Sequence, residues 1–474
     1  MLWSSMGRFG VVGIHFISNM VLARLLTPKE FGCIGMLQIF IAVSEVFIIG
    51  GFGAALIQKK NPTHIDYTTV FYWNLMMAIV IYGIQYYSAP FIARFYDMDI
   101  LCNVLRVQSL TLIIGSFSIV QSNQLQKQLR FKEYSIRGIL AASIGVSVSI
   151  TMAFMEYGIW SLVGLTLATS ISNVILLWGM SKWRPTLEFS FQSLRTLFAF
   201  GGLMALSSFV EKVYTNIQGL IIGKYFTPQD LGYYSQARKL EQIPTSALSS
   251  VVGQVAFPVF SLMNDDKAKL RKGVSKSIKS ISFISIPLCT LLIVIAKPII
   301  RLLYGPQWDE SIPYFQILCF SGMIYIINGI NLNLIKALGK GKVYFIMQTT
   351  KRLTGLSLII TGISFGVIGV VCSVAVTFYI DFLINGFVNK KLIGYGVKQQ
   401  ILDIWKTLAL AGSIGIATFL LVYLIPLNSF IVMFIQIPIF VVLYLYLSQL
   451  LQIDGANVYK EVITNFLGKR YGKQ

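Results

Sequence analysis

Predominantly apolar runs of twenty or more residues, separated by short polar stretches, fill this chain almost from end to end. Fourteen helical segments follow, at about 3–25, 28–57, 65–92, 100–126, 133–156, 158–180, 193–222, 228–262, 273–303, 308–337, 343–363, 366–389, 402–424 and 428–449. Each reaches the ~20 residues that a helix needs to cross a ~30 Å hydrocarbon core. The runs are continuous rather than alternating with period two, which speaks against a β-barrel. Several are longer than one crossing requires and are expected to tilt, kink or project into water. The fold class is therefore an all-α polytopic membrane protein with about fourteen transmembrane helices.

The punctuation between the runs repeats. Thr227-Pro228-Gln229-Asp230-Leu231-Gly232 opens segment 8 with a threonine cap, a proline at the first helical position and an acid three residues after the cap. Thr27-Pro28-Lys29-Glu30-Phe31-Gly32 opens segment 2 in the same way, 200 residues earlier. Ala89-Pro90-Phe91-Ile92-Ala93-Arg94-Phe95-Tyr96 is matched by Lys297-Pro298-Ile299-Ile300-Arg301-Leu302-Leu303-Tyr304, with an equal proline-to-tyrosine interval. Asn123 to Leu129 and Leu332 to Leu338 share a weaker rhythm, at an offset of about 209. Segments 1–6 and 7–12 thus read as two copies of a six-helix unit. Six is even, so the copies keep the same orientation, related by an axis along the membrane normal. The expected organisation is an N-terminal lobe at 1–190, a C-terminal lobe at 191–395, and two further helices with a tail at 396–474.

Composition agrees with a membrane chain: 55% of the 474 residues are apolar and 12% charged, with mean hydropathy +0.71. The net charge of +20 suggests nucleic acid until the charges are placed. Alternate loops at 59–64, 127–137, 182–195, 264–279, 336–342 and 390–406, together with the C-terminal tail, hold 26 of the 39 basic residues, and the opposite loops and flanks hold seven. The excess is a topology signal that puts both termini in the cytoplasm, aided by anionic lipid headgroups. The richest block, Lys267 to Lys279, lacks the interleaved aromatics that stack bases, so no nucleic acid is expected. The first run, about Leu2 to Leu25, lacks the short core and small-residue cleavage site of a signal peptide.

Polar residues at membrane depth are the candidate chemistry. Arg238 lies eleven residues past Thr227, about 16 Å into the membrane at ~1.5 Å per residue. Tyr234, Arg238, Glu241 and Thr245 fall on one helical face, with Lys239 beside it. On segment 7, Ser208, Lys212 and Thr215 form a stripe flanked by Glu211 and Gln218. Five such charges facing lipid would cost on the order of 12–17 kcal/mol even on the lenient insertion scale. They must face water or one another. The matched first-half positions carry Arg8, His15 and Asn19 on segment 1 and Gln38 and Glu45 on segment 2. The expectation is a central cavity lined by segments 1, 2, 7 and 8. Internal ion pairs that fix packing remain the alternative for Arg238, Glu241, Glu211, Lys212 and Lys239; Arg8 also lies close enough to the cytoplasmic end to snorkel. Lys351 and Arg352 on segment 11 are ambiguous in depth. Asp381 on segment 12 reads as a lone intramembrane acid, and it and Glu45 are the candidates for ion coupling.

Nothing points to an enzyme. The two histidines, His15 and His64, are not at metal-ligand spacing, and there is no glycine-rich phosphate loop with a lysine. Cys33, Cys102, Cys289, Cys319 and Cys372 lack paired spacing and read as buried small residues, with no metal or disulfide.

The stretches Leu22-Ala23-Arg24-Leu25-Leu26-Thr27-Pro28-Lys29-Glu30-Phe31-Gly32, Gly51-Phe52-Gly53-Ala54-Ala55-Leu56-Ile57-Gln58 and Leu231-Gly232-Tyr233-Tyr234-Ser235-Gln236-Ala237-Arg238 resemble Wzx-type oligosaccharide flippases of the MOP superfamily, in particular the WzxC-like branch. The resemblance implies a fourteen-helix, two-lobed transporter of the bacterial inner membrane, without a cofactor and driven if at all by a Na⁺ or H⁺ gradient. It implies that undecaprenyl-pyrophosphate-linked oligosaccharide moves from the cytoplasmic to the periplasmic leaflet by alternating access. Partners would be membrane lipids, a polysaccharide polymerase and chain-length proteins. Arg8, Lys212, Arg238 and Lys239 are the positions that would meet the pyrophosphate or acidic sugars, although Glu211 and Glu241 leave the midplane cluster near +1. The alternatives are a MATE-like multidrug or cation exporter, which calls for cavity acids and few cations, and a membrane polysaccharide polymerase, which the short outside loops disfavour.

Overall fold

The computed structural model describes residues 2–424 and 429–456. Among these residues the regular structure is helical, and the fourteen expected segments each coincide with a helix or a pair of helices. The first six segments become α1 (Leu2–Leu25), α2 (Pro28–Ile49) with α3 (Phe52–Gln58), α4 (His64–Phe95), α5 (Ile100–Gln108) with α6 (Leu110–Lys127), α7 (Phe131–Phe154) and α8 (Ile159–Met180). The next six become α9 (Phe191–Tyr225), α10 (Pro228–Leu262), α11 (Lys267–Val294) with α12 (Ala296–Leu303), α13 (Ser311–Ala337), α14 (Gly341–Gly362) and α15 (Gly366–Ile393). The last two are α16 (Val397–Leu424) and α17 (Ser429–Leu450). The tail cations Lys460, Lys469, Arg470 and Lys473 lie outside the described residues.

Among the described residues, twelve stretches are long and apolar enough to cross a membrane, or thirteen counting α9, which bends by 54° between Ala199 and Gly201. One of the twelve, Gly341–Ile393, has 53 residues. At ~1.5 Å per residue it would extend about 80 Å as one rod. It is instead two helices, α14 and α15, folded on one another across the 3-10 turn Ile363–Phe365 and Gly366, which takes φ +74. Segment 2 breaks where sequence periodicity showed nothing: Gly50 and Gly51 both adopt positive φ (+54 and +69), and Gly51 lies directly against the backbone of Gly201. A side chain at either position is strained by the backbone and, at Gly51, also excluded by contact.

The chain packs as two units, Met1–Ser235 and Gln236–Gln474. In the first, α9 packs on α2, α3 and α4, and α1 on α7. In the second, α11, α13 and α15 form the centre, with α16 against α11 and α14 against α15. The repeat boundary expected at 190/191 and this packing boundary therefore differ by α9 and the first turns of α10. Lipid tails are as apolar as leucine, so close approach through small residues and interhelical hydrogen bonds holds such bundles together. Gly7 of α1 meets Ser135 of α7, whose hydroxyl donates to the Trp3 carbonyl at 2.7 Å. Gly145 of α7 meets Thr169 of α8, and Ser149 donates to the Ser161 carbonyl at 2.7 Å. In α14 and α15, Gly362 and Gly369 touch backbone to backbone.

The repeated motifs take matching shapes. The Thr27 amide and hydroxyl both donate to Glu30 Oε2, at 2.7 and 2.9 Å. The Thr227 amide and hydroxyl donate to Asp230 Oδ2, at 3.1 and 2.6 Å. The two caps also meet within the first unit: Gly32 sits on the carbonyl of Pro228, and Gly232 on the carbonyl of Pro28. Tyr96 and Tyr304 each cap a helix, donating their amides to Ile92 (3.2 Å) and Ile300 (2.8 Å). Leu129 (φ +57) and Gly339 (φ +66) make the same left-handed turn after α6 and α13.

Candidate functional site

Within the first unit, the polar candidates divide into an exposed set and a packed pair. On α1, Gly7 and Ser18 are buried, whereas Arg8, Val12 and His15 are exposed. Most of α2 is buried, and its exposed positions include Gln38 and Glu45, two turns apart on one face. On α9, Glu211, Lys212 and Thr215 are exposed. Glu45 and Lys212 lie within electrostatic reach of each other, across the α2–α9 contact that also brings Phe47 and Phe209 to a ring separation of 5.4 Å. Tyr234 behaves differently. It is 3% exposed, and its hydroxyl donates to the buried Gln218 Oε1 at 2.6 Å. It joins α9 to α10 and is committed to packing.

Within the second unit, the expected face of α10 also splits. Glu241 and Thr245 are buried, Arg238 is half-buried, and Lys239 is exposed. The Glu241 carboxylate lies against Gly322 of α13, where an added methyl would stand 2.9 Å from its Oε1, and it has Cys289 of α11 as a neighbour. Arg238 lies within electrostatic reach of it. Glu241 is therefore enclosed where α10, α11 and α13 meet.

Asp381, read from the sequence as a lone intramembrane acid, has a cation nearby. Lys351 of α14, 4% exposed, lies within electrostatic reach of it. The Lys351 ammonium donates to Asn385 Oδ1 at 2.5 Å, Asn385 donates to Asn328 Oδ1 at 2.8 Å, and Asn328 donates to the Phe378 carbonyl at 2.9 Å. One turn along, Asn389 donates to Asn331 Oδ1 (2.8 Å), and Asn331 to Gln400 Oε1 (3.0 Å). This amide ladder through α13, α15 and α16 went unread in the sequence. Its signal was present: Asn328 with Asn331 and Asn385 with Asn389 sit at helical spacing inside apolar runs. The ladder gives Lys351 a built-in partner set, which is what a buried charge requires.

A bundle of long apolar helices, held by small-residue contacts and carrying charged side chains on otherwise apolar spans, defines a polytopic helical membrane protein. Residues 21–313 match the model of the polysaccharide biosynthesis protein family, and the chain belongs to that family. It is 25% identical over 420 residues to the teichuronic acid biosynthesis protein TuaB of Bacillus subtilis (strain 168), covering 88% of this chain and 87% of TuaB. It is 23% identical over 407 residues to the lipopolysaccharide biosynthesis protein WzxC of Escherichia coli (strain K12), covering 85% of this chain and 83% of WzxC. Its fold matches the lipid II flippase MurJ in an inward closed conformation, with a TM-score of 0.76 and 17% identity over 98% of this chain and 100% of that one. The resemblance to Wzx-type proteins read from the sequence is borne out.

Proposed function

We propose that this protein moves undecaprenyl-pyrophosphate-linked oligosaccharide from the cytoplasmic to the periplasmic leaflet of the inner membrane, for assembly of a cell-surface polysaccharide. The observation that carries the reading is the near-full-length similarity to WzxC and TuaB, whose names place them in lipopolysaccharide and teichuronic acid biosynthesis. The fold shared with MurJ, a lipid II flippase, supports the same step. Arg8 and Lys212 of the first unit, and Arg238 and Lys239 of the second, are the proposed contacts for pyrophosphate or acidic sugar, and Gln38 and His15 for sugar hydroxyls. Glu45, already near Lys212, is the proposed ion-coupling acid for a Na⁺ or H⁺ gradient. Asp381, within electrostatic reach of Lys351, is the second candidate for that role. The two-lobe organisation, with a boundary near residue 190 and both termini cytoplasmic, belongs to the same proposal, as do a polymerase and chain-length proteins as downstream partners.

The test is deletion of the gene in its host. Lipid-linked oligosaccharide should accumulate, inaccessible from the periplasmic side, while surface polysaccharide falls. Unchanged surface polysaccharide without accumulation of the lipid-linked unit would refute the proposal.

A further inference from the structure

We infer that a basic cavity in the second unit, at the N-terminal end of α11, is a binding site for a lipid-borne phosphate. The cavity has a volume of about 950 Å³ and is walled by the first turns of α11, the end of α15 and the start of α16. Five cations of α11 line it: Lys267, Arg271, Lys272, Lys276 and Lys279. Two carboxylates face them, Asp403 and Asp454, which leaves a charge of +3 on the wall.

Those carboxylates are already engaged. Asp403 Oδ2 accepts hydrogen bonds from Ser275 (2.5 Å) and Tyr395 (2.6 Å), and Lys279 stands 3.4 Å from its other oxygen. Lys279 also pairs with Asp454 at 2.5 Å. This network fastens α11 to α16 and uses Lys279 as its cation; Lys267, Arg271, Lys272 and Lys276, all exposed, line the cavity beside it. Arg271 lies beside Gly394, the C-cap of α15.

Ala268, Ile393 and Leu402 add apolar surface beside the cations, and Ser275, Tyr395 and Gln399 complete the lining. The cavity also lies where three helices end, and Trp405 is exposed about two turns into α16, near the level at which tryptophan marks a membrane interface. Cations with apolar side chains beside them, near headgroup height, fit a phosphate that carries a hydrophobic chain better than a free anion. Two sources share that chemistry, an anionic phospholipid and a polyprenyl phosphate.

The experiment uses the full chain in nanodiscs of phosphatidylcholine. Binding of added phosphatidylglycerol, of undecaprenyl phosphate and of inorganic pyrophosphate is read by native mass spectrometry for wild type, for Arg271→Gln/Lys272→Gln, and for a control of equal charge change, Lys340→Gln/Lys342→Gln. At least one of the two lipids should bind wild type, and the cavity double variant should bind it about 30-fold more weakly, the loss of two cations at an anionic headgroup. The control should retain wild-type binding. Whichever lipid binds identifies the source. Binding of pyrophosphate alone, or equal losses in the cavity and control variants, would overturn the inference. Transport is not needed for this readout, so a failed flippase proposal leaves it standing and its failure leaves that proposal standing.

Discussion

The Thr27 and Thr227 helices start alike and diverge within three turns. Both open on a threonine whose amide and hydroxyl donate to an acid three residues on, and both place a glycine on the other's proline carbonyl. Eleven residues past the threonine, the first has Gln38, exposed and neutral, and the second has Arg238, half-buried beside Glu241. The elements that set helix entry and crossing are repeated, and the charges are not. Geometry and chemistry have thus been tuned separately on one scaffold, with the cations concentrated on the second copy.

The largest expected effect falls on a feature that has no first-half counterpart among the positions compared, the Lys351–Asp381 pair. Lys351→Met leaves Asp381 uncompensated in a buried setting and should cost about 3–5 kcal/mol, seen as a large fall in Tm in detergent. Lys351→Met/Asp381→Leu should recover most of it. A single variant as stable as wild type would show that the pair is not a structural charge balance. Next comes the reciprocal crossing: Gly32→Val and Gly232→Val each force a side chain into a backbone carbonyl and should each cost about 1–3 kcal/mol. Their losses should be similar, and one harmless variant would break the symmetry of the two caps. Thr27→Ala and Thr227→Ala each remove a capping hydroxyl and should cost about 1 kcal/mol apiece.

The smallest effect concerns the loop after the second proline-to-tyrosine motif. Arg301 Nε donates to Asp309 Oδ1 at 2.8 Å, and this pairing holds the Asp309 carboxyl below its usual range. A lowered folded-state value adds stability above the ordinary carboxylate pKa and loses it as pH falls through the lowered one. Both side chains are about one-third exposed, so only a few tenths of a kcal/mol are expected. Asp309→Asn should therefore lower Tm slightly near neutral pH and converge on wild type at acid pH, flattening the acid limb of a Tm-against-pH curve.

The helices were legible because membrane crossing requires long apolar runs and caps mark their ends; α10 begins and ends at the expected residues, Pro228 and Leu262. The breaks at Gly50–Gly51 and Ser109 were not, because a run that stays apolar through a kink carries no change of period. The candidate site was legible in part. The alternation that put Arg8, His15, Gln38, Glu45 and Lys212 on outward faces is helical spacing alone. Spacing cannot tell an open face from a packed one, so Tyr234 and Glu241 fell in the same stripe although Gln218 and Gly322 enclose them. Lys351 and Asp381 are thirty residues apart on different helices, and only the fold pairs them.

The central claim is that the second copy's cations contact an anionic, lipid-linked substrate. Arg238→Gln, which gives the second helix the first helix's residue, tests it most directly. In a host lacking the chromosomal gene, surface polysaccharide restored by Arg238→Gln should fall roughly tenfold or more below wild type at equal protein level, the loss of one charge-assisted contact, and Gln38→Ala should restore nearly as much as wild type. Full restoration by Arg238→Gln would contradict the account.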